Sequence, residues 1–73
     1  MLKLYTKGDC PQCVQMKITL ALNNIKYETQ DIFKNQEVLS FLRDNGHRSM
    51  PQAFIDGKHL GGVVEITKYL KTL

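Results

Sequence analysis

Residues 2–14 read Leu2-Lys3-Leu4-Tyr5-Thr6-Lys7-Gly8-Asp9-Cys10-Pro11-Gln12-Cys13-Val14, and this stretch sets the course of the chain. Leu2 to Thr6 is short, apolar and rich in strand formers, and it ends at the turn signal Gly8-Asp9. Pro11 suits the first position of a helix, where its missing N–H costs nothing. A strand therefore runs straight into a helix, with two cysteines at the junction. Helical positions extend from about Pro11 to Asn24. Val14, Ile18, Ala21 and Leu22 share one side of the wheel, and Cys13, Met16 and Leu20 another. Two apolar sides predict a helix that packs on a sheet and touches a second helix as well.

Outward from this segment the chain continues in short alternating elements. A second strand is expected around Tyr27–Asp31. Asn35 is placed to cap a second helix carrying Val38, Leu39, Phe41 and Leu42, which Gly46 closes. Met16 and Phe41 read as core positions. Ala53-Phe54-Ile55 is a strand, Asp56-Gly57 a two-residue hairpin turn, and Lys58 to Leu60 the return strand. Gly61-Gly62 breaks it, and Val63, Ile66 and Leu70 mark a closing helix. The order β-α-β-α-β-β-α predicts an α/β fold, with a parallel pair from the crossover and an antiparallel pair from the hairpin.

Length and composition limit the rest. Seventy-three residues suffice for one domain spanning 1–73, with a core worth only ~3–5 kcal/mol. A hydrophobic fraction of 42% excludes a disordered or low-complexity chain. No apolar run approaches the ~18 residues of a spanning helix, so no membrane association is expected. Two cysteines are too few for a disulfide framework, and the opening residues lack the pattern of a signal peptide. A reducing, cytoplasmic setting is the expectation. Ten Lys and Arg against seven Asp and Glu give a net charge of +3, but the lysines are scattered and no aromatic stripe accompanies them. A solvated surface is expected, not a nucleic-acid partner.

The chemistry sits in Cys10-Pro11-Gln12-Cys13. Two intervening residues in a first helical turn bring the sulfurs within disulfide reach. Cys10 lies at the helix start, where free N–H groups and the dipole favour a thiolate. Cys13 lies one turn inside, more buried and less ionised. One cysteine attacks and the other resolves, and Lys7 adds positive charge near Cys10. A zinc site would need four ligands. His47 and His59 are too far apart for the usual histidine pair, and no second cysteine pair exists, so no metal is expected. The two histidines read as exposed loop and edge-strand residues. In a βαβ context the cysteine motif indicates redox chemistry.

These residues, with Ser49-Met50-Pro51-Gln52, Phe54-Ile55-Asp56-Gly57 and His59-Leu60-Gly61-Gly62, make the chain resemble a glutaredoxin, a small member of the thioredoxin superfamily, over essentially its whole length. The resemblance implies a thioredoxin-like fold with a four-stranded mixed sheet. It implies that Cys10 is the nucleophile and Cys13 the resolving thiol. Lys7 then lies near the glycine carboxylate of glutathione, and the Met50 backbone pairs with the cysteinyl part. Pro51 is the cis-proline, and the backbone of Gly62, Val63 and Val64 holds the γ-glutamyl carboxylate. Gln12, inside the cysteine pair, joins the glutathione-binding set. Two departures stand out: Gln12 replaces the usual aromatic, and Val64-Glu65 replaces Ser or Asp followed by Asp.

The function so implied is glutathione-dependent reduction of protein disulfides, ribonucleotide reductase being one candidate substrate, and of glutathione mixed disulfides. A monomer is the expected state. Two alternatives remain open. The related redoxins of ribonucleotide reductase share this size and draw electrons from thioredoxin reductase, but they usually end in a Ser-Gly-aromatic-Arg-Pro segment, which is missing here. Copper-carrier modules also place a C-x-x-C near the first helix, but with Met two residues before the first cysteine and a terminal strand.

Overall fold

The computed structural model describes residues 1–47 and 49–73. The elements are β1 (Leu2–Thr6), α1 (Pro11–Leu22), β2 (Tyr27–Asp31), a single 3₁₀ turn (Ile32–Lys34), α2 (Gln36–Asp44), β3 (Gln52–Ile55), β4 (Lys58–Gly61) and α3 (Val63–Lys71). The order is the one read from the sequence, apart from the 3₁₀ turn. That turn is started by the Asp31 carboxylate, which accepts the Phe33 N–H at 2.9 Å.

The strands form one mixed sheet in the order β2-β1-β3-β4. β1 pairs parallel with β2, Leu2 opposite Tyr27, and antiparallel with β3, Leu2 opposite Ile55. Alternation along β1 sends Leu2, Leu4 and Thr6 to one face and Lys3 and Tyr5 to the other. On the first face Leu2, Leu4 and Ala53 meet Met16 and Leu20 of α1 and Ile66 of α3. On the second, Phe54 meets Leu42 of α2, Ile32, Met50 and the two cysteines. The sheet therefore lies between two helical layers, as in other thioredoxin-like folds.

Local chemistry accounts for the boundaries. The Asn35 side chain accepts the N–H groups of Glu37 and Val38 at 3.0 and 3.3 Å, so it caps α2 as expected. Gly46, at φ +78°, ends that helix: its N–H reaches the Arg43 carbonyl, and the His47 N–H reaches Leu42. Asn24, at φ +57°, ends α1 in the same way through bonds to Ala21 and, from Ile25, to Leu20. Asp56 and Gly57 both have positive φ, as the tight hairpin turn between β3 and β4 requires.

Two packing expectations fail. Val14, Ile18 and Leu22 do not pack: they are 56%, 48% and 78% exposed, and α1 buries only Cys13, Met16 and Leu20. The second helix, α3, approaches α1 along a different side, where Gln12, Gln15 and Thr19 face Val63 and Thr67. Phe41 is the other exception. Neighbouring Leu42 takes the buried position on α2, and the Phe41 ring lies half-exposed at the rim, 6.2 Å from Phe54.

Candidate functional site

The cysteine pair occupies the junction between β1 and α1. Cys10 is the N-cap of α1, in extended conformation, and its sulfur accepts the Cys13 N–H at 3.1 Å. This N–H is shared with the Cys10 carbonyl, also at 3.1 Å, and with the positive end of the helix dipole it stabilises negative charge on a reduced Cys10. Cys10 and Cys13 form a disulfide, with Cα atoms 5.2 Å apart. Both are buried, Cys13 more deeply at 2% exposure against 8% for Cys10. Cys13 lies the deeper of the two, as its place one turn inside the helix predicts.

The loop before β3 lies against this pair. The Met50 carbonyl oxygen is 3.9 Å from the Cys10 sulfur, and the Met50–Pro51 peptide bond is cis. Met50 and Pro51 are buried. Beside them runs a groove of about 280 Å³ in which Gln12, Met50 and Pro51 face Gly62, Val63 and Val64. Residues distant in the sequence are thus brought to one place. Gly62 is the N-cap of α3 and donates its N–H to Glu65 Oε1 at 2.8 Å. Val63 and Val64 stand in the first turn, where a helix has no acceptor of its own for its N–H groups. Gly61 has φ +137°, and a Cβ there would lie 2.5 Å from the Glu65 side chain, so only glycine fits.

Lys7 stands apart from that groove. It lines a second cleft with Met50, Phe33, Leu39, Arg43 and His47, and a third beside Cys10. Met50 joins the first groove to the second cleft, so Lys7 faces the far side of the same loop. Among the described residues no three His, Cys, Asp or Glu side chains converge as a metal site. Nor is any described helix long and apolar enough to cross a membrane.

Two features of the site were not foreseen. Gln52 is buried, at 6% exposure, and braces the loop: its Nε2 donates to the Ser49 carbonyl at 2.8 Å, and its Oε1 pairs with His59 Nε2 at 2.8 Å. His59 in turn stacks on His47, ring centroids 3.9 Å apart, and both rings flank Phe54. Burial, and secondarily the neighbouring His47, lower the proton affinity of His59, against a smaller opposing effect of Glu65. A polar residue in a short apolar strand was the available signal for Gln52. The meeting of the two histidines depends on tertiary structure alone.

The family model for glutaredoxin matches residues 2–60. The chain belongs to the glutaredoxin family. Among curated relatives of this glutaredoxin, glutaredoxin 1 of Rickettsia conorii is 36% identical over 62 residues; the match covers 81% of the chain and 61% of that protein. Among solved structures, the thioredoxin-like protein BC3987 superposes with a TM-score of 0.77 at 35% identity, covering 96% of this chain and 99% of that one. The glutaredoxin-like NrdH-redoxin of Escherichia coli shares the fold, with a TM-score of 0.82 at 22% identity, over 99% of this chain and 92% of that one.

Proposed function

We propose that the chain is a dithiol glutaredoxin, a glutathione-dependent thiol–disulfide oxidoreductase acting on protein disulfides and glutathione mixed disulfides. The observation that carries this reading is the Cys10 sulfur at the N-cap of α1, aimed on by the Cys13 N–H and flanked by the Met50 carbonyl. The Cys10 thiolate attacks one sulfur of the substrate disulfide, forming a mixed disulfide. The other substrate sulfur leaves as a thiolate and takes up a proton. Cys13, having given up its proton, then attacks Cys10, releases the second substrate thiol and leaves the Cys10–Cys13 disulfide. Two electrons have passed from the protein to the substrate. Two glutathione thiols restore the dithiol and become glutathione disulfide.

In this reading Met50 offers its backbone, strand-like, to the cysteinyl part of glutathione, beside Pro51 and Gln12. The first-turn N–H groups of Val63 and Val64, with the close approach that Gly62 allows, receive the γ-glutamyl carboxylate. Lys7 meets the glycine carboxylate across Met50. Ribonucleotide reductase is one candidate protein substrate, the protein acts as a monomer, and the setting is the reducing cytoplasm. Polar Gln12 inside the cysteine pair, a position that is usually aromatic in glutaredoxins, supports the second reading, in which thioredoxin reductase supplies the electrons. A coupled assay offering glutathione with its reductase, and separately thioredoxin reductase, decides between them. Efficient turnover with thioredoxin reductase alone would replace the glutathione reading. Thiolate absorbance of the Cys13→Ser variant tests the nucleophile: Cys10 should ionise below the ordinary thiol range.

A further inference from the structure

The exposed side of α1 carries an apolar stripe that no element of the described chain covers. Val14, Ile18 and Leu22 follow at i, i+4 and i+8, and each is about half exposed or more. Contiguous exposed apolar surface rimmed by polar residues is a common mark of a protein interaction site. The stripe begins at the redox centre, because Val14 and Cys10 line the same cleft of about 510 Å³ between α1 and the end of β2. Three lysines also line that cleft: Lys7 from the β1–α1 loop, Lys17 from α1 and Lys34 from the 3₁₀ turn. Among the described residues the only ion pair joins the Met1 ammonium to Asp56, so none of these lysines is neutralised by a carboxylate partner. Two aspartates, Asp9 and Asp31, share the cleft, so its three lysines leave one positive charge in excess.

The geometry points to this stripe and cleft as a docking surface for a disulfide-bearing partner protein with an acidic, apolar-faced helix. Apolar side chains of that helix cover Val14, Ile18 and Leu22. Its carboxylates meet Lys17 and Lys34, and its disulfide arrives at Cys10. The inference rests on the disulfide-reductase reading and adds the class of substrate to it. The surface lies on the α1 side of Cys10, away from the Met50–Gly62 groove, so a partner can be selected here without competing for that groove.

The probe is a synthetic helical peptide with one disulfide at its end and a leucine stripe flanked by glutamates. Its counterpart carries lysines instead of glutamates, and uncharged bis(2-hydroxyethyl) disulfide is the control. The second-order rate of reduction by the reduced protein is measured for each. The glutamate peptide should react about tenfold faster than the lysine peptide at low ionic strength, and the gap should shrink at roughly 1 M salt, where charges screen within about 3 Å. Lys17→Glu with Lys34→Glu should erase or invert the preference, and Ile18→Glu should slow the glutamate peptide severalfold. The control disulfide should react at the wild-type rate throughout. Equal rates for the two peptides, or an Ile18→Glu loss that extends equally to the control, would overturn the proposal. So would a wild-type dimer in sedimentation that Ile18→Glu separates, since the stripe would then belong to a second copy. A reduced protein that fails on every disulfide, control included, refutes the redox reading itself and this inference with it.

Discussion

Replacing Gln52 with Met tests whether the loop that holds Met50 against Cys10 is positioned by a buried amide. Methionine matches the length and volume of glutamine but removes both bonds at 2.8 Å, to the Ser49 carbonyl and to His59. Each is worth about 0.5–1.5 kcal/mol net. The third contact, 3.4 Å to the Ser49 hydroxyl, is too long to add much. Ser49 and His59 are exposed, so water replaces Gln52 for both and no buried orphan is created. The buried methionine regains some apolar burial. The expected cost is therefore at the lower end, about 1–2 kcal/mol, which in a domain of this size lowers Tm by roughly 4–16 °C. The functional effect should be larger than for a surface change. With Ser49 released, the Met50 backbone loses its fixed place beside Cys10, and kcat/KM for a glutathione mixed disulfide should fall about five- to tenfold, or about 1–1.4 kcal/mol. Thermal melts followed by circular dichroism and a coupled mixed-disulfide assay give both numbers. A variant with unchanged Tm and unchanged kcat/KM would show that Gln52 braces nothing.

Two more outcomes follow from local chemistry. Asn35→Ala should destabilise the chain by about 0.5–2 kcal/mol in urea unfolding, because two N–H groups of α2 lose their acceptor, and Asn35→Gly should cost only a few tenths. A larger loss for Gly than for Ala would contradict the capping role. His59 holds its proton less tightly in the folded chain than in the unfolded one, first because packing against Gln52, His47 and Phe54 strips part of the water from its ring and next because of the charge of His47. The unfolded state therefore binds more protons, and stability should decline as pH falls through about 6.5. The slope should flatten in His59→Asn, measured as the urea midpoint across that range; equal slopes in the two proteins would refute the assignment.

The elements were legible in the sequence because their signals are local. Pro11, Asn35, Gly46 and Asp56-Gly57 each impose a backbone geometry regardless of what lies across the molecule, and each stands at the boundary it predicted. The deeper burial of Cys13 was legible for the same reason, since it depends on position within one helical turn. Packing was harder to read. Two apolar sides of α1 looked equivalent on the wheel, and only the position of α3, along the Gln12–Gln15–Thr19 side, leaves Val14, Ile18 and Leu22 uncovered. Phe41 and Leu42 compete for one place under the sheet, and adjacency alone does not say which wins. Gln52 and the His47–His59 stack escaped because their partners come from loops and strands that meet only after the sheet is complete.

The position of β1 at the middle of the sheet has a consequence for how the protein comes apart. Its pairing with β2 encloses a short stretch of chain, whereas its pairing with β3 joins residues near opposite ends. Closing the longer loop costs more entropy, so the β3–β4 hairpin should dock late and open early. Cys10 and Cys13 belong to the first half of the chain, whereas Met50, Pro51 and Gly62 belong to the second. An excursion that lifts the hairpin away keeps the cysteine pair on its helix but removes the wall it faces. In hydrogen exchange, amides of β3 and β4 should report openings of lower free energy than those shared by β1 and β2. Such openings leave a dithiol on an intact helix, able to exchange electrons but without the wall of Met50, Pro51 and Gly62 across from it.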